Sequence, residues 1–223
     1  MENINIGIEF EFFLKEKATF LEKIEEIFKR QLRKITKESI KIINCLNNSK
    51  LPDEEKKEKE IFYIEKEPSL NKNGIEFITK VIKFKDLEKY LQKIFEIINE
   101  YGYTTEETGL HFHISNENKK ELNKEKFILN LKKEKVTKYE EERNELESIF
   151  NLVKKDKLIE VNEKYMKNYN INFINDEQYK NHIELRVFGG TKYETKIKEI
   201  ISDIEKTIMI YKKEEMYLEE NKK

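Results

Sequence analysis

The chain has 223 residues, 40% of them Asp, Glu, Lys or Arg and 37% hydrophobic, a length that fits one or at most two domains. Forty-four basic against 45 acidic residues leave a formal charge of -1, which excludes a whole-chain field that would draw it to nucleic acid or to an anionic membrane. A single thiol, Cys45, excludes an internal disulfide, no apolar run is long enough to span a bilayer, and Glu2, Glu9 and Glu11 break any signal-peptide pattern, so a cytoplasmic protein is expected.

Residues 4–14 alternate, with Ile6, Ile8, Phe10 and Phe12 on one face and Gly7, Glu9, Glu11 and Phe13 on the other, the pattern of a half-buried strand. Over 19–47 the apolar period becomes that of a helix (Phe20, Ile24, Ile27, Phe28, Ile35, Ile42 and Ile43), and Cys45 falls inside that pattern. Residues 52–60 form a charge run and read as a solvated loop. Strands are predicted over 61–64 and 75–82, around a turn containing Pro68, Asn71, Asn73 and Gly74. Asp86 is placed to cap a helix bearing Leu87, Leu91, Ile94, Phe95 and Ile98 that ends near Gly102. Residues 110–115 alternate as a further strand.

A Lys/Glu-rich stretch over 123–160, with apolar positions at Phe127, Leu131, Leu146, Ile149, Phe150 and Val153, reads as partly exposed helices inside an insertion at about 120–165. Another strand follows over 183–188, then Gly189-Gly190 and a long helix bearing Ile197, Ile200, Ile201, Ile204, Ile208 and Tyr211, which frays from Glu214 onward. There is no internal repeat and no Gly/Ser/Pro linker. The expectation is one α+β domain over 1–223, a mostly antiparallel sheet with helices packed on one face.

Four of these strands put charged or metal-capable side chains on one face while the other face stays apolar. The segment GIEFEF offers Glu9 and Glu11, GIEFIT offers Glu76, GLHFHIS offers His111, His113 and Ser115, and HIELRVFGG offers His182, Glu184 and Arg186. Two carboxylates on neighbouring same-face positions sit ~6 to 7 Å apart and repel by roughly 2.5 kcal/mol at an effective dielectric near 20. A divalent cation resolves such crowding, and carboxylates with one or two imidazoles suit Mg2+ or Mn2+. Plainer readings stand beside this one. Glu9 and Glu11 could form a solvent face, His111 and His113 a half-exposed pair, and Arg186 a surface ion pair of little energetic value. Scarcity weighs against them: only four Arg face 40 Lys, and all three His fall in two short strands. An Arg kept in a Lys-rich chain suits bidentate gripping of phosphate or carboxylate.

The ordered set GIEFEF, EPSLNKNGIEFIT, TGLHFHIS and HIELRVFGGT resembles the amidoligase family of the carboxylate-amine ligase superfamily, which includes glutamine synthetase and γ-glutamylcysteine synthetase. The resemblance spans residues 7–191 and implies a glutamine-synthetase-like catalytic sheet, ATP and two or more Mg2+ or Mn2+ ions. It implies metal ligation by Glu9, Glu11, Glu76, His111 and Glu184, places His113 and Ser115 near nucleotide and substrate, and sets Arg186 against the phosphate being transferred. The segment NINF, residues 170–173, resembles the stretch before the last motif and points to Asn172 as a nucleotide contact. Where many amidoligases carry an Asp-Gly-Ser-Leu turn, this chain reads Glu67-Pro68-Ser69-Leu70.

The implied function is ATP-dependent joining of a small-molecule or peptide carboxylate to an amine, with no nucleic-acid or membrane partner; the two substrates and the oligomeric state stay open. A metal-dependent hydrolase fits less well, because only His182 follows His111 and His113. A two-histidine phosphoesterase fails because His182-Ile183 leads to Glu184 and not to Ser or Thr. The remaining rival is a non-catalytic binding protein that keeps the ligase-like sheet.

Overall fold

The alternation at the start of the chain becomes β1 (Ile4–Leu14), which lies inside an eight-stranded sheet of order β2-β3-β4-β1-β6-β8-β7. The other strands are β2 (Lys41–Asn44), β3 (Ile61–Lys66), β4 (Gly74–Ile78), the two-residue β5 (Gly102–Tyr103) that pairs with the end of β1, β6 (Gly109–Asn116), β7 (Ile171–Ile174) and β8 (Lys180–Gly189). The computed structural model describes residues 4–15, 18–46, 60–70, 74–116, 122–134, 136, 171–174 and 180–220. Residues 52–59 of the loop expected over 52–60, Asn71 and Asn73 in the predicted turn, the side chain of Phe20, and Leu146, Ile149, Phe150 and Val153 of the insertion lie outside those residues.

Among the described residues there are four helices: α1 (Ala18–Leu32), α2 (Leu87–Tyr101), α3 (Lys124–Lys133) and α4 (Ile197–Glu220). The chain is thus mixed α+β, and all strand pairs but β2–β3, which is parallel, are antiparallel. The helices serve the apolar face of β1 as its sequence demands. Phe10 meets Phe95 of α2 edge-on at 5.7 Å, Phe12 meets Phe28 of α1, and Phe28 stacks on Phe77 of β4 at 3.9 Å, with all five rings buried. Phe127 of α3 packs edge-on against Tyr211 of α4. None of the described helices is long and apolar enough to cross a membrane.

Several sequence expectations change. The helix predicted over 19–47 stops at Leu32, and the downstream isoleucines serve a different element: Ile40 and Ile42 are buried at β2, which pairs in parallel with β3 through Lys41 opposite Ile61. Apolar spacing alone could not separate the two, because β-branched residues at 40, 42 and 43 satisfy either period and the pairing strand is distant in sequence. Cys45 is buried just past that strand, not in a helix. The strand expected over 75–82 ends at Ile78. There the Thr79 hydroxyl accepts the Ile8 N–H at 2.9 Å, while Ile82 rejoins β1 only by a single bridge to Ile6. Asp86 makes no side-chain capping bond and pairs instead with Lys89 at 2.7 Å. Helix α4 runs to Glu220 because Glu214 and Glu215 are buried and accept hydrogen bonds from Asn130 and Asn116, which holds the turn where fraying was expected.

Phe28 sits between Phe12 and Phe77 with no exposed surface. Phe28→Ala should therefore destabilise the fold by about 3–5 kcal/mol, read as a lower urea midpoint at unchanged slope.

Candidate metal centre

Register across the central strands arranges the polar face in rows. One row reads Glu65, Glu76 and Glu11 from β3 to β1; the next reads Tyr63, Ile78, Glu9 and His111; a third reads Gly7, His113, Glu184 and Asn172 from β1 to β7. Directly opposed residues have Cβ atoms ~4.5–5.5 Å apart. The Glu76–Glu11 and Glu76–Glu65 neighbours are therefore forced together by the same pairing that buries Phe10, Phe12 and Phe77 on the opposite face.

An irregularity in β8 completes the face. Between Leu110 and Phe112 the β6–β8 register shifts by one, so Arg186 and Val187 together oppose His111. Strict alternation would carry Phe188 to the side of Glu184. The bulge returns it to the core, edge-on to Phe112 at 6.4 Å, and leaves Arg186 half-buried beside Glu184. Just beyond, Gly189 adopts φ +124, and a Cβ there would lie 2.7 Å from the Thr108 carbonyl, so this turn accepts only glycine. Tyr193 then donates its hydroxyl to the Glu11 carbonyl at 2.8 Å and ties the following turn to β1.

The side chains converge. His111 Nδ1 lies 2.9 Å from Glu9 Oε2 and 3.6 Å from Glu184 Oε1, and its Nε2 lies 3.2 Å from Glu11 Oε1. His113 Nε2 is 3.2 Å from Glu9 Oε1, and its Nδ1 is 3.0 Å from Nε2 of His182. Glu11 accepts the Gly109 N–H at 2.6 Å, Glu184 accepts from Asn172 Nδ2 at 2.8 Å, and Arg186 Nη1 approaches Glu184 at 3.3 Å. Three groups have one ligand atom per residue all within 4.8 Å of one another: Glu9, Glu76 and His111; Glu9, His113 and Glu184; and Glu11, Glu67 and Glu76. Two oxygens on one Mg2+ at 2.0–2.1 Å are at most ~4.2 Å apart, so small side-chain movements close these groups around a cation.

The protonation energetics fit the same picture. Burial pushes the Glu76 carboxyl well above its ordinary value, and the charges of Glu9, Glu11, Glu67 and Glu65 push it further. Burial would also raise Glu9, but the charge of His113 and hydrogen bonds from His111 and His113 outweigh it and hold Glu9 well below the ordinary value. Glu184 is likewise lowered, its burial overcome by His113 and His111. For His113 burial works toward the neutral form, yet Glu9 and Glu184 overcome it and raise the imidazole. The imidazoles thus lower Glu9 and Glu184, whereas the charges that act most on Glu76 are those of four other carboxylates, although His111 also lies within reach of it. Glu11, Glu67 and Glu76 could hold a cation, which would supply positive charge beside Glu76.

Of the residues named from sequence, Glu9, Glu11, Glu76, His111, His113, Glu184 and Arg186 come together, with Asn172 buried against Glu184. Ser115 is on the same face but two residues beyond His113, opposite Asn5, and belongs to none of the three groups. Sequence reading assigned no role to Glu65 or Glu67, and named His182 only among the metal-capable side chains of its strand. The signal was the Glu-Lys-Glu alternation at 65–67, which continues β3 past the predicted end at Ile64 and sets Glu65 opposite Glu76. Glu67 stands where the turn departs from the Asp-Gly-Ser-Leu pattern, and its carboxylate also accepts the Ser69 N–H at 2.9 Å. Gly74 is required close by, since a Cβ there would meet Leu70 Cβ at 2.1 Å. Neither protein-family models nor curated proteins match the chain.

The native state keeps a proton on Glu76 above pH 4.5 where the unfolded chain has lost it, and one on His113 above pH 6.5. Stability from each is complete below the unfolded value and is lost as pH rises through the folded one. In EDTA the melting temperature should therefore fall from about pH 5 to pH 8. Glu76→Gln should remove the part of the fall that starts near pH 4.5 and raise the melting temperature at pH 8 by several degrees. An unchanged profile in that variant would show that the carboxylate crowding costs nothing.

Proposed function

We propose that the chain is an ATP-dependent carboxylate-amine ligase built on a glutamine-synthetase-like sheet, forming an amide or isopeptide bond through an acyl phosphate. The observation that carries this reading is the convergence of Glu9, Glu11, Glu76, Glu184, His111 and His113 on one sheet face, with the Arg186 guanidinium beside Glu184. A face that crowds carboxylates around one another suits a substrate brought in with divalent cations, and here that substrate is the triphosphate of ATP.

Joining a carboxylate to an amine requires a better leaving group than oxide. In the proposed reaction a carboxylate oxygen attacks the γ-phosphorus of ATP, the bond from that phosphorus to the β,γ-bridging oxygen breaks, and ADP leaves. The amine nitrogen then attacks the acyl carbon, the carbon–oxygen bond to phosphate breaks, and a proton is lost from nitrogen. Glu9, Glu11, Glu76, His111 and Glu184 would hold Mg2+ or Mn2+, which when bound would neutralise charge on the phosphates. Arg186 offers fork-shaped donors to the oxygens of the transferring phosphoryl group, and Glu184 orients that fork by its contact at 3.3 Å. Asn172 in turn fixes Glu184 through Nδ2. In this reading His113 and Ser115 contact nucleotide and substrate along β6.

The reading predicts that Mg2+ or Mn2+ with ATP raises the melting temperature, by about 2.7 kcal/mol of stabilisation at 100 times the dissociation constant, and that Glu11→Ala or Glu184→Ala abolishes the shift. Absence of any shift in the wild type sinks the enzyme and leaves a binding protein on the same sheet. Arg186→Lys should keep nucleotide binding but lower ADP release at least tenfold in a screen of carboxylates and amines followed by mass spectrometry; unchanged turnover removes Arg186 from the mechanism.

A further inference from the structure

We infer that the end of the sheet face beyond Glu11 is a shelf for an aromatic amine: the Tyr103 ring, backed by Phe13, takes the planar ring of an arylalkylammonium whose nitrogen points back toward the glutamates. The inference rests on the ligase reading for the amine's part as acceptor, and it names the chemical class of that acceptor.

Register sets an apolar row beside the acidic one. Phe13 follows Glu9 and Glu11 on the same face of β1 and pairs with Gly74 on one side and Tyr103 on the other. Gly102 takes the opposite face, where a Cβ would meet the Phe12 ring at 2.7 Å, so Tyr103 lies on the side of the glutamates. Leu70 fills the place that a side chain at Gly74 would take, and Leu70, Phe13 and Tyr103 thus line up across β4, β1 and β5. Leu70 and Phe13 are buried, whereas Tyr103 is 44% exposed, so the row meets solvent at that ring. The two rings stack at 5.3 Å with 18° between their planes, and Phe13 therefore sets the plane in which Tyr103 presents its outer face. Between His111 and this ring, Gly109 and the Gly189 paired with it bring no side chains.

Charge and reach select the ligand. The loop between β5 and β6 exposes Glu106 and Glu107, and it is joined to the turn after β8 by the Gly190 N–H on the Thr108 carbonyl and by the Thr104 hydroxyl on Glu194. Lys15 donates to the Asn99 and Glu100 carbonyls at 2.8 and 3.1 Å, which turns its charge to the end of α2, while Lys192 is exposed on the turn after β8. Three carboxylates against Lys192, beside an electron-rich ring face, attract an ammonium and repel a carboxylate. Phe13 lies ~7 Å along β1 from Glu11 and ~13 Å from Glu9, so a spacer of about two or three carbons carries the nitrogen from the ring toward the Glu11 row, where it faces the acyl phosphate of the proposed reaction. A nucleobase suits this end less well. It brings no positive charge to Glu106 and Glu107, and Ser115, which contacts nucleotide or substrate in the proposed reading, lies toward the far end of β6.

The test titrates full-length protein in Mg2+ by calorimetry with three probes: phenethylammonium, cyclohexylethylammonium of the same length, and hydrocinnamate, which keeps the ring but carries a carboxylate. The wild type should bind phenethylammonium roughly fivefold tighter than the cyclohexyl amine and should not bind hydrocinnamate. Tyr103→Leu should remove the preference for the aromatic ring, while Tyr103→Phe, which preserves the stack on Phe13, should keep it. Glu106→Gln with Glu107→Gln should weaken both amines about equally, as added salt does. In steady-state assays Tyr103→Leu should raise KM for the aryl amine roughly fivefold at unchanged KM for ATP. Absence of phenethylammonium binding by the wild type overturns the inference, a result that needs no variant to fold. So does equal aromatic preference in Tyr103→Leu, or tighter binding of hydrocinnamate, which assigns the shelf to the carboxylate donor. A rise in KM for ATP with amine binding unchanged in Tyr103→Leu overturns it as well and assigns the ring to the nucleobase. If the amine binds through Tyr103 and no carboxylate releases ADP with it, the ligase reading falls and the shelf stands. If amines turn over and Tyr103→Leu changes the KM of none of them, the shelf alone falls.

Discussion

The structure depends on one electrostatic constraint: glutamates from four strands occupy adjacent rows of a largely buried sheet face, where neighbouring like charges repel by ~3 kcal/mol at 5 Å and an effective dielectric of 20. A sheet can carry such a face only if its other face supplies the folding energy. The ring cluster of Phe10, Phe12, Phe28, Phe77 and Phe95 lies on that other side, interleaved by alternation with Glu9, Glu11 and Glu76. Each strand thus couples a stabilising residue to a costly one, and the register that optimises the core imposes the crowding.

The costly side is offset unevenly. Glu9 and Glu184 have imidazoles, Glu11 has the Gly109 amide, Glu184 also has Asn172 and Arg186, while Glu76 is met by other carboxylates. This imbalance is what makes the face chemically specific. A merely structural polar face would pair its charges throughout, as Lys80 does with Glu38 and Glu60 at another edge of the sheet. Here, among the described residues, Glu76 lies among Glu9, Glu11, Glu65 and Glu67, whereas Glu184 is met by the Arg186 guanidinium.

Much of this was legible in residue order because the determining signal has a period of two. Glu9 with Glu11, His111 with His113, and Glu184 with Arg186 each declare a shared face within a single strand, and rare His, Gly and Arg mark the same segments. Reading failed where a second strand had to decide the outcome. The isoleucines after Leu32 fit a helix until β3 is present to pair with them, and β3 itself extends past Ile64 only because β4 faces it through Lys66. Fraying at Glu214 was a reasonable default for a charged terminus, and it was wrong because Asn116 and Asn130 come from elements distant in sequence.

Local alternation, then, was enough to establish an α+β chain with a mostly antiparallel sheet, helices on its apolar face and a polar face bearing Glu9, Glu11, Glu76, His111, His113, Glu184 and Arg186. Only the tertiary structure decided how those side chains group. Strand order placed β1 between β4 and β6, which brought Glu11 opposite Glu76 and Glu9 opposite His111; the bulge at Arg186 and Val187 kept Arg186 on the face while sending Phe188 to the core; and the end of β3 added Glu67, with His182 set against His113. The reason is physical: side-chain direction follows from the backbone of one strand, whereas register, bulges and cross-strand distance depend on hydrogen bonds between segments far apart in the chain.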